Sequence, residues 1–405
     1  MLHPKMRHIY IGVDTHRHTH TAVVINCFFE KLGEVTFKNK PSEFGKLLEE
    51  AEKHLEKGVT PIIGLEDAHS SGRELAAFLI RNKVSVKHVN SSLSSSERSN
   101  QSILHKNDSF DALCVARALL TKLDEVPNVE IKDDYWALSQ LVSKRNALVK
   151  ECNSLKNQLH AYIIHHYPSY KEFFYSFGCP SALAFWEKYP SPSKLKGITL
   201  EELAEFLKLH SSRKLYTERA KLILDCIAND GDTTNAFQDT RDFIVTTSIK
   251  QLKQNLICID EVESQIKSIL PQFGYKLESM KGINTVTAAS LIAEIGDINR
   301  FSTPSKLAKY CGISPVEYSS GQTDKKFCNR NGDRNLNRIF FCISVLLVSS
   351  NCKSGKPINP LFYDYYRKKL TEGKTKKQAL KCVTRRLVNI IWSMMKNKTE
   401  YRLPE

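Results

Sequence analysis

Four carboxylates offer the clearest chemistry in this chain: Asp14, Glu66, Asp108 and Asp111. Asp14 closes the apolar run HIYIGVD, and Glu66 directly follows TPIIGL. Asp108 and Asp111 stand three apart at the start of a helical pattern, hence on one helix face. Hard oxygen donors of this kind suit Mg2+, with Mn2+ as a substitute. Two ions so held can stabilise both the attacking and the leaving oxygen of a phosphodiester. Each acid alone has an ordinary reading: Asp14 in a turn, Glu66 on a surface, Asp108 as an N-cap. The joint order of strand Asp, strand Glu and helical Asp-x-x-Asp is what favours a metal-binding set. His16, His18 and His20 lie in THRHTH, between two apolar runs, and read as a hairpin turn rather than a metal site. Lys106 precedes the Asp pair and is a candidate phosphate contact.

The elements that must position these acids follow from hydrophobic period. Residues 8–14 and 21–29 read as strands joined by a tight turn, and 33–37 as a third strand. A helix is expected over 42–55, a buried strand over 60–65, a helix over 71–81, a short strand over 84–89 and a strong helix over 108–121. Three leading strands followed by α/β units give a mixed sheet with helices on its faces. The middle of the chain changes character. Leu138, Leu141, Arg145, Leu148, Cys152, Leu155, Leu159 and Tyr162 alternate steps of three and four. So do Val245, Ile249, Leu252, Leu256, Ile259, Glu263, Ile266 and Leu270. These stripes predict a long antiparallel coiled-coil arm, with small helices inserted between its two strands; two ordinary bundle helices are the plainer alternative. From Leu277 onward the pattern is helical, with a loop-rich stretch over 312–335 and helices over 336–348 and 376–396. The fold class is therefore α/β plus all-α, in three parts: 1–125, 126–275 and 276–405.

With 41% hydrophobic residues among 405, the chain can bury a sizeable core, which excludes collagen-like, disordered and small disulfide-scaffold classes. Its net charge is +15, and residues 301–405 hold 21 Lys/Arg against 7 Asp/Glu. Nearly all the excess thus sits in the last quarter, which points to a polyanionic partner for that part. Arg334, Arg338, Lys376, Lys377, Lys381, Arg385 and Arg386 are the candidate nucleic-acid contacts; a solvated helix face is the bland alternative. Tyr363, Tyr365 and Tyr366 are read as core rather than stacking groups. The 11 cysteines are scattered without CxxC pairs, so neither a zinc ribbon nor a disulfide framework is expected, and free thiols suit a reducing compartment. The start, MLHPKMRHIYIGVD, lacks a long apolar run, so no signal peptide is expected. IFFCISVLLV is too short to span a membrane.

The segments IGVDTH, GLEDAHSSG and KNDSFDA resemble the amino-terminal motifs of the DEDD-type insertion-sequence transposases, whose catalytic domain is a RuvC-like branch of the ribonuclease H fold. That family includes the Piv-like DNA invertases and the bridge-RNA-guided recombinases. KGINTVTAASLIAEIGDINRF, LAKYCGISPVEYSSG, NRNGDRNL and the tail PLFYDYYRKKLTEGKTKKQALKCVTRRLVNIIW resemble its carboxy-terminal transposase domain, so the likeness covers nearly the whole chain in order. It implies a RuvC-like domain at 1–125, the coiled-coil arm at 126–275 and a transposase domain at 276–405. It also implies a serine nucleophile just before a glycine, which falls on Ser320 in EYSSG with Ser319 adjacent; read without the family, SSG is only a loop signal. The chain departs from the family at Asn284, where a second glycine is usual, and at Gly332-Asp333 and Leu336-Asn337, where Gly-Asn and Leu-Arg are usual.

What the resemblance implies in function is a prokaryotic transposase or site-specific DNA recombinase, cytoplasmic and nucleoid-associated. It would act on element ends and target DNA under an element-encoded guide RNA, as a homodimer or tetramer with a composite site. Two rivals remain open. One is a metal-only Holliday-junction resolvase-like nuclease, which needs the acids but not Ser320; the other is a non-catalytic nucleic-acid-binding scaffold. A sugar kinase, suggested by IGVD, ranks last because no suitably spaced phosphate-binding glycine pair is present.

Overall fold

The structure is a computed structural model that describes residues 3–100, 107–210, 216–320, 323–327, 329, 332–350 and 355–402, with the backbone alone over 316–320 and 323–327. Contacts divide it into two compact units, Met1–Lys132 and Asp133–Glu405. Each is described by itself.

The first unit is built on a five-stranded mixed sheet. Strand β1 (His8–Thr15) pairs antiparallel with β2 (Thr19–Ile25), and β2 antiparallel with β3 (Lys31–Lys38). On its other side β1 pairs parallel with β4 (Thr60–Leu65), which pairs parallel with β5 (Ser85–His88), giving the order β3-β2-β1-β4-β5. This is the mixed sheet expected of a ribonuclease H-like domain. The helices are α1 (Gly45–Glu52), α2 (Arg73–Arg81), α3 (Ser91–Ser99) and α4 (Asp108–Thr121).

Strand alternation decides what each face carries. Ile9, Ile11 and Val13 of β1 and Ile63 and Leu65 of β4 pack with Leu47, Leu75 and Leu79 on one face. Tyr10 and Ile62 point to the other face, where Ala112, Val115, Ala116 and Leu119 of α4 cover them. Next along the strands on the α4 side come Gly12 and Gly64, which are register partners. A Cβ at Gly12 would lie 2.2 Å from both the Ala112 carbonyl oxygen and the Ala116 amide nitrogen. Glycine is therefore what lets α4 lie directly on β1.

Among the described residues the second unit is helical apart from one hairpin. Helices α5 (Asp133–His166) and α10 (Gln238–Ile269) form a long antiparallel pair, tied by the ion pair of Arg145 and Glu263 at 2.8 Å. Between them come α6 (Tyr170–Phe173), α7 (Pro180–Lys188), α8 (Leu200–Leu209) and α9 (Tyr216–Asp230). The seam follows the predicted stripes with shifts. Val142 and Ile163 are buried, while Leu141 is only partly covered and Tyr162 is 43% exposed. Val142 faces the carboxy-terminal core together with Leu138 and Ile266, while Ile163 faces the insert. Phe173, Phe185, Trp186, Leu203, Leu207 and Ile223 share one core with Leu148, Leu155, Leu159, Val245, Ile249 and Leu252.

A second core belongs to the carboxy-terminal elements: α11 (Thr285–Ile295), α12 (Pro304–Tyr310), the hairpin β6 (Val316–Ser320) and β7 (Thr323–Phe327), α13 (Arg334–Val348), α14 (Pro360–Thr371) and α15 (Lys376–Asn397). Leu291, Ile292, Leu307, Leu336, Phe340, Leu387 and Ile391 form it, together with Leu138 and Ile266 from the long pair. The single boundary drawn by contacts, after Lys132, leaves the long helices and the carboxy-terminal elements in one unit. The nine described cysteines are all free. Among the described residues no helix is long and apolar enough to cross a membrane.

Candidate active site

The four acids converge because two parallel strands and one helix deliver them to the same edge of the sheet. Val13 pairs with Leu65, so Asp14 and Glu66 follow side by side at the carboxyl ends of β1 and β4. Both fall on the α4 side by alternation, beyond Gly12 and Gly64. Helix α4 begins there: the Asn107 side chain accepts a hydrogen bond from the Phe110 amide at 2.7 Å and fixes Asp108 as the first helical residue. Asp108 and Asp111 both lie in that first turn, where the helix dipole favours negative charge.

Each acid has a different setting. Asp14 is largely covered, with 14% of its side chain exposed, and its Oδ2 atom is buried without a well-formed hydrogen bond. Burial raises its carboxyl above the ordinary range; His16 opposes this, and Asp111, Asp108 and Glu66 add to the upward push. Glu66 accepts a hydrogen bond at 2.9 Å from the hydroxyl of Ser94, itself fully buried on α3. Asp111, 6% exposed, forms an ion pair with Arg98 Nε of α3 at 2.9 Å. Asp108 is exposed. Helix α3 therefore engages Glu66 and Asp111, while Asp14 stays largely covered and Asp108 is exposed.

His16 was not among the expected site residues, and the structure adds it. Its Nε2 atom stands 3.1 Å from Asp14 Oδ2 and 3.5 Å from Asp108 Oδ1. Donor atoms of Asp14, His16 and Asp108 all lie within 4.8 Å of one another. His18 is exposed, and His20 is buried with its ring 5.6 Å from that of Phe37, so the three histidines have three different fates. Asp67 is a second unforeseen contributor. Its carboxylate accepts from the amides of His69, Ser70 and Ser71 at 3.2, 2.8 and 2.9 Å, which fixes the loop just after Glu66. The residues fit a divalent ion. Hard oxygens converge with an imidazole, and the buried Asp14 Oδ2 atom has the His16 ring beside it but no well-formed hydrogen bond.

The second candidate constellation lies in the other unit. Ser320 is the last residue of β6 and pairs with Thr323 of β7, with Ser319 opposite Asp324. The hairpin is anchored at its base. A Cβ at Gly332 would lie 2.1 Å from the Gly312 amide nitrogen, so the chain ends flanking the hairpin touch backbone to backbone. The Asp333 amide donates to the Tyr310 carbonyl at 2.8 Å, and the Asn337 side chain to the Cys311 carbonyl at 2.8 Å. Asp333 also caps α13 by accepting from the Leu336 amide at 2.7 Å. Two of the departures from the family pattern therefore hold the segment that carries Ser320. The third, Asn284, caps α11 by accepting from the Thr287 amide at 2.9 Å, which takes up one amide that could otherwise face a phosphate.

The basic residues are spread over two helices. Arg334 and Arg338 are exposed on α13, and Lys376, Lys377, Lys381 and Arg386 on α15. Arg386 lies over the Tyr365 ring, 4.9 Å from its centroid. Arg385 instead donates to the Ser305 hydroxyl at 2.9 Å and the Pro304 carbonyl at 3.3 Å, holding α12 to α15. Tyr365 and Tyr366 pack against the core. Lys106 lies outside the described residues.

Residues 11–168 match a family model described as a DEDD-type IS110 transposase, and residues 274–366 match the transposase IS116/IS110/IS902 family. The insertion element IS110 uncharacterized 43.6 kDa protein of Streptomyces coelicolor is 28% identical over 74% of this chain and 73% of its own length. The insertion element IS116 uncharacterized 44.8 kDa protein of Streptomyces clavuligerus is 23% identical over 96% of this chain and 95% of its own. A pilin gene-inverting protein of Moraxella lacunata is 23% identical over 38% of this chain and 47% of its own length.

Proposed function

On the premise that the chain belongs to the DEDD-type insertion-sequence transposases and is a DNA transposase or recombinase, we propose that it cuts and rejoins DNA by serine attack assisted by divalent metal. Asp14, Glu66, Asp108 and Asp111 hold Mg2+, or Mn2+ in its place. Bound ions would offset the charge that develops on the phosphodiester oxygens. The Ser320 hydroxyl oxygen attacks the scissile phosphorus, the bond to the 3′ oxygen breaks, and the serine proton ends on the released 3′-hydroxyl. The phosphoserine link keeps the phosphodiester energy for rejoining. The observation that carries the metal half is the strand register that sets Asp14 beside Glu66, with an Asp108 oxygen in the same donor cluster as Asp14. The serine half is supported by a hairpin fixed at its base by the Gly312–Gly332 approach.

The partners follow from charge and family. The excess of positive charge in 301–405 supports phosphate-backbone contact with DNA. A guide RNA from the element, a coiled-coil arm over 126–275 that joins protomers into a dimer or tetramer, and residence at the nucleoid complete the reading.

The test uses full-length protein co-expressed with its flanking DNA, so that a cognate RNA co-purifies. Junction DNA and Mg2+ are added, and the denatured mixture is searched for a protein–DNA adduct. An adduct that disappears in Ser320→Ala supports the proposal, and one that survives it moves the nucleophile to Ser319 or elsewhere. Mg2+-dependent nicking at full rate in Ser320→Ala, with no adduct in any sample, refutes it in favour of a resolvase-like nuclease.

A further inference from the structure

We propose that His16 is a metal ligand of the acidic site, so that the ion between Asp14 and Asp108 has a mixed nitrogen and oxygen shell. The inference rests on the metal-dependent reading above and deepens it. Three observations meet here. The His16 Nε2 atom is 3.1 Å from Asp14 Oδ2 and 3.5 Å from Asp108 Oδ1, and the three donors lie within 4.8 Å of one another. Such spacing is what one ion bridging three ligands needs, because donors each about 2.0–2.3 Å from a common centre lie roughly 3–4.5 Å apart. Asp14 Oδ2 is buried and lacks a well-formed hydrogen bond, a cost that a cation removes. Finally, Glu66 and Asp111 are already engaged by Ser94 and Arg98. His16 and Asp108, with 51% and 56% of their side chains exposed, are the members of the cluster open to solvent.

The chain places His16 there for a local reason. It is the first residue of the turn between β1 and β2, its amide donating to the Thr19 carbonyl at 3.1 Å. The imidazole thereby stays beside the strand end that carries Asp14, while the amino-terminal turn of α4 supplies Asp108. A nitrogen donor shifts a carboxylate site away from Mg2+ and toward first-row divalent ions, of which Mn2+ is the one that accepts an otherwise oxygen-rich shell. Arg98 and Ser94 act as positioning residues that hold the remaining two carboxylates.

The test loads full-length protein with Mn2+ and measures binding by electron paramagnetic resonance, with electron spin echo modulation to detect a coordinated nitrogen. His16→Ala, His18→Ala and Asp14→Asn are measured beside the wild type, each checked by circular dichroism. His16 is exposed on a turn, so its removal leaves the core intact. The expected result is nitrogen modulation in wild type and His18→Ala, none in His16→Ala, and Mn2+ affinity lower by at least about tenfold in His16→Ala, with Mg2+ affinity changed less. Asp14-dependent Mn2+ binding without nitrogen modulation, or modulation that survives His16→Ala, overturns the His16 inference and leaves the metal reading standing. Absence of any Asp14-dependent Mn2+ binding overturns both.

Discussion

Gly12→Ala should damage the acidic site without touching an acid. A Cβ there would sit 2.2 Å from the Ala112 carbonyl oxygen and the Ala116 amide nitrogen, where ordinary contact begins near 3.4 Å. Both are backbone atoms of α4 and cannot rotate away, so the helix must retreat by about 1.2 Å or the strand must buckle. Overpacking of this kind costs about 1–3 kcal/mol, and one kcal/mol moves the midpoint of a domain of this general size by about 2–4 °C. The first turn of the same helix carries Asp108 and Asp111, so the retreat draws them from Asp14 and Glu66. A displacement of about 1 Å in a catalytic group costs roughly a hundredfold in rate. Gly64→Ala is the matched control. Its Cβ would meet Val89 Cγ2 at 2.9 Å and Leu119 Cδ2 at 3.2 Å, both side-chain atoms that can shift. The assay is single-turnover strand cleavage at saturating protein, below the unfolding midpoint of each variant. Gly12→Ala should be slowed far more than Gly64→Ala. Equal rates for the two variants, or a wild-type rate for Gly12→Ala, would refute the view that helix seating sets the carboxylate geometry.

Asp14→Asn should abolish cleavage, retain DNA binding and raise the unfolding midpoint at neutral pH. The raised carboxyl pKa of Asp14 means that the folded state binds its proton more tightly than the unfolded chain. Stability from this group is complete below the ordinary carboxylate range, is lost as pH rises through the raised value, and is absent at neutral pH. The gain in Asp14→Asn should therefore vanish at low pH, and a gain independent of pH would contradict the assignment. Replacing Lys376, Lys377 and Arg386 with Gln should reduce the slope of log affinity against log salt by about 0.7–0.9 per lost phosphate contact; an unchanged slope removes α15 from the nucleic-acid surface. Point substitutions are the suitable perturbation, because Leu307, Leu336 and Leu387 share a core with Leu291 that removing 301–405 would expose. In native protein at pH 8, Cys342, which is exposed, should alkylate readily. The Cys311 thiol, pushed up to about 12 by burial and by Asp333, should react only on unfolding; early reaction at Cys311 would show a looser anchor beneath the hairpin. Asp333→Ala removes the α13 cap and should cost about 1 kcal/mol, read as a lower midpoint and a weaker Ser320 adduct.

Much of the first unit was legible because its signals are local and periodic. Strand 60–65 and helix 108–121 fall where alternation and helical spacing put them. Ile-Gly-Val-Asp at 11–14 and Ile-Gly-Leu-Glu at 63–66 are the same pattern twice, and the structure sets them in register on neighbouring strands. Helix α3 was invisible, since SSLSSSERS is poor in helix formers; Ser94 and Arg98 fix it through Glu66 and Asp111. His16 reads from the sequence as a turn residue, and its approach to Asp108 is invisible there, because Asp108 lies some ninety residues away and on a different element. The stretch 312–335 read as loop, yet it contains the β6–β7 hairpin. The glycine approach and side-chain bonds that fix its base leave no periodic trace. The proposed nucleophile came from family likeness alone, since a serine before glycine has no distinguishing physical signature.

The helical insert bears on how the long pair assembles in time. Helices α5 and α10 are separated by roughly seventy residues, and joining the ends of so long a flexible loop costs about 3–4 kcal/mol of chain entropy. The insert shortens that search. Its ring cluster, in which Trp186 stacks on Phe173 and Phe177 at 5.7 and 5.9 Å, lies between the two helices in sequence and packs on both in space. Each contact made by α7 leaves a smaller loop to close. The middle of α5, the amino-terminal half of α10 and α7 should consequently exchange their amide hydrogens as one cooperative block. The end where Leu138 and Ile266 join the other core should open separately.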